Sequence, residues 1–285
     1  MHQSEGSFDG PRGIPIAYRA WRPLAAPKAV LIVVHGLGEH ISRYAATAER
    51  LVSCGYAVVG FDLPGHGRSG GRREHVERFA DYTETLTAFR VQQVADAPES
   101  PHFLLGHSMG GLIVARALLD PIESVRGAIL SAPAVGLEAA VPCATRLLAS
   151  LVAAVAPGIG IYSVDPADLS RDPDVVAAYV ADPLVHHGRT PARLMVAMLR
   201  ASQQVSADAA RIRLPLLVLT GGEDRIADPG AARRLIEHVG AQDRTLHVYD
   251  GLRHEILNEP ERERVLTDLV TWLDARSAAS RKDHT

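Results

Sequence analysis

The chain has 285 residues, of which 47% are hydrophobic and 22% are charged, and its formal net charge is −3. These values are ordinary for a globular protein of one or two domains, and they give no basic surface that would indicate nucleic-acid binding. The two cysteines form neither a disulfide framework nor a metal-site spacing. The N-terminus has no secretory signal and no apolar run could span a membrane, so we expect a cytoplasmic protein.

The first half of the chain alternates between strand-like and helix-like segments. Turn residues followed by alternating apolar residues predict a β-hairpin near residues 7–21. Runs of β-branched residues predict strands buried on both faces, with helices between them. These elements are a strand at 29–34, a helix at 44–53, a strand at 56–61, a helix at 86–95 and a strand at 102–105.

The second half continues this alternation, apart from one long insertion. Its predicted elements are a helix at 111–119, strands at 127–130, 216–219 and 245–249, and a C-terminal helix ending near residue 272. Strands that alternate with helices predict an α/β fold with a mostly parallel sheet covered on both faces. The polar residues 277–285 predict a flexible tail.

The insertion between Ser131 and Leu214 contains no strand-like run and is filled by helical patterns and proline turns. Such an insertion must lie above the strand ends, where open α/β folds bind their ligands. We therefore interpret 135–212 as a helical cap with apolar helices facing a ligand, between core segments 1–134 and 213–276. The alternative is that its most apolar helix, 145–156, is buried in the main core.

The motif Gly106-His-Ser-Met-Gly110 stands between a predicted strand and a predicted helix. This context is typical of a nucleophile elbow, in which Ser108 projects from a sharp, strained turn. By itself the motif occurs by chance in about one chain in ten of this length. Catalysis therefore also requires a base, an acid and donors for an oxyanion.

Candidates for the base and the acid follow the serine in the chain order of an α/β-hydrolase. Asp224 follows the strand at 216–219, with Glu223 and Asp228 as competing acids, and His254 follows the last strand. The histidine would accept the proton of Ser108, and the carboxylate would orient the imidazole.

A tetrahedral intermediate carries negative charge that backbone N–H groups must already face. The residue after the nucleophile, Met109, supplies one donor. The second is predicted to be Leu37, in the glycine-rich segment after the strand at 29–34.

Several longer motifs closely resemble the monoacylglycerol lipases of the α/β-hydrolase superfamily, which belong to the serine aminopeptidase S33-like hydrolases. They are His35-Gly-Leu-Gly-Glu-His-Ile-Ser-Arg-Tyr44, Asp62-Leu-Pro-Gly-His-Gly-Arg-Ser-Gly70, Gly106-His-Ser-Met-Gly-Gly111 and Tyr249-Asp-Gly-Leu-Arg-His254. The resemblance implies the α/β-hydrolase fold. It also implies a serine esterase that releases a fatty acid and glycerol from monoacylglycerol through an acyl-serine, with no metal or organic cofactor.

The same resemblance implies that Glu39 and Arg43 line the polar end of the pocket near the glycerol head group, and that Tyr179 reaches it from the cap. The alternatives are a helix-start carboxylate, a solvated arginine and a packing aromatic. Some relatives carry a second head-group histidine where this chain has Leu257. This difference implies a weaker or rearranged grip on the glycerol hydroxyls. Histidines 35 and 66 are interpreted as structural supports.

Other substrates for the same mechanism stay open, namely lysophospholipids, short esters, thioesters and peptides. An apolar cap favours a lipid and transient contact with a membrane surface. A non-catalytic ligand receptor with this fold is the alternative from another class, although the serine, acid and histidine all stand in order. The sequence gives no indication of the oligomeric state.

Overall fold

In the computed structural model, which describes residues 1–277, eight strands form one sheet and two short strands form a second. The strands are β1 (His2–Asp9), β2 (Pro15–Arg22), β3 (Val30–Val34), β4 (Ala57–Phe61), β5 (His102–His107), β6 (Gly127–Ser131), β7 (Gly160–Tyr162), β8 (Thr190–Pro191), β9 (Leu216–Gly221) and β10 (Arg244–Tyr249). The large sheet has the order β1-β2-β4-β3-β5-β6-β9-β10. Its strands run parallel except at β1 and β2, which pair antiparallel with their neighbours.

Helices cover both faces of the large sheet. They are α1 (Ala45–Ser53), α2 (Ala80–Asp96), α3 (Met109–Ala117), α4 (Leu137–Ala140), α5 (Cys143–Val155), α6 (Pro173–Ala181), α7 (Ala192–Asp208), α8 (Pro229–His238) and α9 (Arg262–Ser277). Side chains of α1 and α9 form one apolar layer with the sheet, and side chains of α2, α3, α7 and α8 form the other. The strands β3, β4, β5, β6 and β9 are buried along their whole length, as their continuous apolar runs predicted.

The register of the sheet brings the carboxyl ends of its central strands to one edge. Val34 at the end of β3 is paired with Gly106, and Gly221 at the end of β9 is paired with Tyr249. The loops that follow β3, β5, β9 and β10 therefore converge above this edge, which is where open α/β sheets bind ligands. The predicted α/β-hydrolase fold with a mostly parallel sheet is confirmed.

Two boundaries were predicted too short. The N-terminal hairpin begins at His2, and α2 begins at Ala80, six residues before its predicted start. The first turn of α2 has one large core residue, Tyr82, between Asp81 and Thr83, which is too little to show the apolar periodicity that Leu86 and Phe89 continue. It is held by Asp81, which accepts hydrogen bonds from the backbone and the guanidinium of Arg78 and stabilises the helix start through the dipole.

The prediction that no strand lies between Ser131 and Leu214 is wrong, because β7 pairs antiparallel with β8 in this segment. These strands have only three and two residues, so neither could show an alternating pattern.

The long apolar helix α5 was expected to face a ligand or lie in the main core, and it does neither. One side packs on α7, where Val152 and Ala153 join a small cluster with Ala192 and Val196. The other side is exposed and presents large apolar residues, namely Leu147, Leu148, Leu151 and Val155. Apolar periodicity could not show which of these faces packs on the protein.

Among the described residues, no helix is long and apolar enough to cross a membrane. The expected flexible tail begins at Ser277, which is the last residue of α9, and its remaining residues lie outside the described part of the chain.

Candidate active site

Ser108 lies on the tight turn between β5 and α3, with φ 54° and ψ −119°. A residue other than glycine rarely adopts such a backbone, and such strain often marks a functional site. The flanking glycines permit the turn. A β-carbon on Gly106 would come within 2.3 Å of the Gly110 carbonyl oxygen, and one on Gly110 within 2.1 Å of the Val34 oxygen. The predicted strand–turn–helix context of Ser108 is therefore present.

His254 lines the same cavity as Ser108, and Asp224 binds its ring. The Nδ1 atom of His254 lies 2.8 Å from Oδ2 of Asp224, and both side chains are almost fully buried. The other carboxylate oxygen accepts the backbone N–H groups of Ile226 and Ala227, at 2.8 and 2.9 Å. The carboxylate is thus fixed on both sides and can hold the imidazole in one tautomer.

The two competing acids occupy other positions. The side chain of Asp228 caps α8 by accepting the N–H of Gly230 at 2.8 Å, and it also binds Arg234. Glu223 is exposed. Of the three acids considered from the sequence, only Asp224 contacts His254.

The two predicted oxyanion donors flank the serine. Leu37 lines the same cavity as Ser108, and Met109 is the first residue of α3. Within residues 1–277, neither N–H group takes part in the backbone hydrogen bonds of the turns and loops. The first N–H groups of a helix have no partner in the helix, so the Met109 donor is available to an anion.

His35 and His66 support the loop after β3, as predicted. The Nε2 atom of His35 accepts the backbone N–H of Leu63 at 2.9 Å. The Nδ1 atom of His35 lies 2.8 Å from the Gly36 carbonyl oxygen. Burial lowers the pKa of both histidines, that of His66 to about 3. Both rings are therefore neutral packing groups at physiological pH.

A network of buried charges closes one end of the site. Arg43 donates from Nη1 to Glu39 at 2.7 Å, and from Nη1 and Nη2 to the two oxygens of Glu255 at 2.7 and 2.8 Å. The second oxygen of Glu39 accepts the Gly36 N–H and the Tyr44 hydroxyl. Neither a solvated arginine nor a simple helix-start carboxylate describes these residues, so both alternatives are wrong.

The network keeps its charges although it is buried. Burial alone would raise the pKa of Glu39, but the charge of Arg43, together with His107, His35 and the Gly36 N–H, lowers this pKa to about 2. Burial opposes the charge of Arg43 as well, and the carboxylates of Glu255 and Glu39 raise its pKa above the ordinary value. Two carboxylates therefore share one guanidinium at this end of the site.

Glu255 was missed by the sequence reasoning, although it directly follows His254. The available signal was a carboxylate next to the candidate base. Its partner Arg43 lies 212 positions away along the chain, and no local pattern indicates that pairing. Leu257, which stands where some relatives have a second head-group histidine, is buried.

Tyr179 reaches the polar end from α6. Its ring lies under the guanidinium of Arg43, with 4.9 Å between the Cζ atom and the ring centroid. Burial, followed by the charge of Glu39, raises the pKa of Tyr179 to about 12. The hydroxyl therefore stays protonated and can donate a hydrogen bond.

A cavity of about 330 Å³ opens above Ser108, in the size range of small-molecule sites. Its polar end is formed by the charge network and Tyr179. Its remaining wall is mainly apolar and includes Leu137, Val141, Val164, Leu169, Met195, Met198, Leu199 and Ile226. Most of these residues belong to the inserted segment, but none belongs to α5.

Comparisons with known proteins agree with this geometry. The sequence profile of the family described as serine aminopeptidase, S33, matches residues 25–261. A monoacylglycerol lipase of Mycolicibacterium smegmatis is 40% identical over 272 residues, covering 95% of this chain and 97% of its own. A monoglyceride lipase of Rattus norvegicus is 35% identical, covering 92% and 88%. The crystal structure of Paleococcus ferrophilus monoacylglycerol lipase is 31% identical with a TM-score of 0.78, covering 97% of this chain and 100% of its own.

Proposed function

We propose that this chain, which belongs to the serine aminopeptidase S33 family of α/β-hydrolases, is a serine esterase that hydrolyses monoacylglycerol to a fatty acid and glycerol. One observation carries the proposal: the cavity above Ser108 joins an apolar wall to a buried, charged polar end. Such a cavity matches a molecule with one acyl chain and a hydroxyl-rich head group.

The reaction proceeds through an acyl-serine. The Ser108 hydroxyl attacks the ester carbonyl carbon while His254 accepts its proton, and Asp224 stabilises the imidazolium. The carbonyl oxygen becomes an oxyanion that the N–H groups of Leu37 and Met109 bind. The C–O bond then breaks, and glycerol leaves with the proton from His254. Water repeats the attack on the acyl-serine, releasing the fatty acid and restoring the serine.

The acyl chain occupies the apolar wall that the segment 135–212 contributes as a cap. Each buried methylene group adds about 0.8 kcal/mol to binding. The residues of α4 and α7 that line the wall, among them Leu137 and Met198, are therefore the contacts that select chain length.

Glu39, Arg43 and Tyr179 form the head-group end. The Arg43 guanidinium is already bound to Glu39 and Glu255, which makes it a fixed part of the wall. The Tyr179 hydroxyl remains to meet the glycerol hydroxyls. In this chain Glu255 supplies polar surface near the position where some relatives have the second histidine.

The same electrostatics bears on the rival substrates. Next to the network the two carboxylates outnumber the guanidinium, which disfavours the phosphate of a lysophospholipid relative to a neutral polyol ester. Arg225 also lines the cavity, but its guanidinium lies 3.6 Å from the carboxylate of Asp168. A peptide amine would be attracted, but the apolar wall offers its backbone few partners. A panel of monoacylglycerol, lysophospholipid, short ester and aminoacyl amide, compared by kcat/KM, separates these classes.

The decisive experiment measures fatty-acid release from monoacylglycerol by the wild type and by Ser108→Ala. The variant should lose about 10⁶-fold in kcat, the loss typical of removing a serine nucleophile. Comparable rates would refute the proposal. Labelling of Ser108 by a fluorophosphonate probe distinguishes an esterase from a non-catalytic receptor, because a folded receptor would not react.

Contact with a lipid surface belongs to the same proposal. The exposed face of α5 carries Leu147, Leu148, Leu151 and Val155 without a partner in the described residues. An apolar helix face of this kind inserts at the boundary between head groups and acyl chains. Monoacylglycerol resides at that boundary, so the contact would bring the cavity to its substrate. A cytoplasmic location stays a prediction.

A further inference from the structure

Glu74 has an unusual conformation for a charged residue. The His75 N–H donates to the Arg72 carbonyl oxygen at 3.1 Å, so residues 72–75 form a turn. Glu74 occupies its third position with φ 47°, where glycine or asparagine is favoured. Its side chain is also buried, with 2% of the residue exposed. A strained backbone that carries a carboxyl group inward requires a reason in the surrounding structure.

The carboxyl group of Glu74 lies where the loop after β3 meets the inserted segment. Its Oε1 atom is 3.1 Å from the position that a β-carbon would occupy on Gly38, which has φ +75°. The Gly38 carbonyl oxygen accepts the backbone N–H of His186 at 2.8 Å. Thr190 on β8 lies beside the same carboxyl group. The Glu74 carboxyl group thus lies beside the backbone hydrogen bond that joins Gly38, the residue after Leu37, to the inserted segment.

The charge state of Glu74 follows from its neighbours. Its Oε2 atom has no hydrogen-bond partner among the described residues, and its nearest basic group, Nε2 of His186, is 3.9 Å away. Burial raises the pKa of Glu74 to about 7. The titratable or charged groups around it are Tyr82 on α2, Tyr179 on α6, His186 on the inserted segment, and Arg73 and His75 beside it. Burial lowers the pKa of His186 as well, so this neighbour favours its neutral form, and burial favours the uncharged form of Glu74.

We propose that Glu74 is a positioning residue whose uncharged carboxyl group holds Gly38, and with it the Leu37 donor, against the His186–Thr190 segment. Ionisation would place an unpaired charge in this junction and loosen it. The catalytic part of this inference rests on the proposed hydrolase function, because it assigns Leu37 to the oxyanion. The positional part does not, and it can be measured without a substrate.

Glu74→Gln tests the proposal, because it keeps the shape of the side chain and removes its titration. Between about pH 6 and about pH 8, a group with a pKa of about 7 goes from roughly one-tenth to nine-tenths ionised. The ratio of kcat/KM of Glu74→Gln to that of the wild type, measured with a soluble short ester, should therefore rise roughly tenfold over this range. A constant ratio would overturn the proposal.

Glu77→Gln is the matched control. Glu77 belongs to the same segment and also binds the inserted segment, through Arg193 at 2.7 Å, but its side chain is half exposed. This variant should keep the wild-type pH dependence. If it behaves like Glu74→Gln, the effect arises from any weakened contact and the proposal is wrong.

Hydrogen exchange separates the positional claim from the activity. The His186 amide, bound to Gly38, should exchange faster above about pH 7 in the wild type, after correction for intrinsic exchange, and not in Glu74→Gln. If the exchange rate of the His186 amide in the wild type does not change with pH after this correction, the positional claim is refuted, whichever ester the enzyme hydrolyses. If the His186 amide of the wild type exchanges faster above about pH 7 but the protein hydrolyses no ester, the result would instead count against the proposed function.

Discussion

Both carboxylate oxygens of Glu255 bind the Arg43 guanidinium, at 2.7 and 2.8 Å, one residue after His254. The pair joins the loop after β3 to the loop after β10, which supply the oxyanion donor and the base in the proposed mechanism. Glu255 is further tied to the inserted segment, since its N–H donates to the Leu169 carbonyl oxygen at 2.8 Å. We therefore expect this pair to affect both stability and activity.

Glu255→Gln should lower the free energy of unfolding by about 1.5–3 kcal/mol, because it removes one of the two carboxylates that bind the buried Arg43 guanidinium, while the bond from Arg43 to Glu39 remains. We also expect kcat/KM to fall by about tenfold or more, since a 1 Å displacement in a site can cost about 100-fold. Urea unfolding and ester hydrolysis measure the two effects.

Glu263→Gln is the control for this variant. Glu263 binds Arg50 at the surface, with 65% of its side chain exposed, so its loss should change stability by no more than about 1 kcal/mol. Equal destabilisation by the two variants would show that the buried network contributes no more to stability than an exposed ion pair.

Asp224→Asn should reduce kcat by about 10⁴-fold with little change in the fold, because the amide can orient the imidazole in the wrong tautomer. Asp228→Asn is a close control: asparagine caps a helix as well as aspartate does, so activity should persist. Steady-state kinetics of both variants measures the change in kcat, and thermal unfolding shows whether the fold is retained. Activity that depends on Asp228 and not on Asp224 would reverse the assignment.

Gly110→Ala should prevent normal folding or cost more than about 4 kcal/mol, because its β-carbon would lie 2.1 Å from the Val34 carbonyl oxygen in rigid backbone. Gly251→Ala provides the comparison. It has φ +80° with no atom within 4 Å of the added carbon, so only the backbone penalty of about 1–2 kcal/mol applies. Thermal unfolding measures both, and similar losses would mean that close packing at the elbow is unimportant.

Features that depend on local pattern and chain order were predictable from the sequence. The buried strands, the elbow turn at Ser108 and the acid and histidine at later strand ends all follow from periodicity and from the geometry of parallel sheets. Features that depend on distant pairing were not. The bond between Arg43 and Glu255 joins residues far apart in the chain, and the burial of Glu74 contradicts its polar surroundings in the sequence.

The orientation of α5 belongs to the second group, and it leads to the last prediction. Replacing Leu148 and Leu151 by serine should weaken binding to phospholipid vesicles by about tenfold or more, since each buried leucine contributes about 1.5–3 kcal/mol. Val91→Ser on α2 removes an apolar side chain of similar exposure outside α5 and should leave vesicle binding unchanged. Co-sedimentation measures binding, and hydrolysis of a soluble short ester should be preserved in all variants because α5 does not line the cavity. If the double variant binds vesicles as the wild type does, the exposed face of α5 does not carry the contact with lipid.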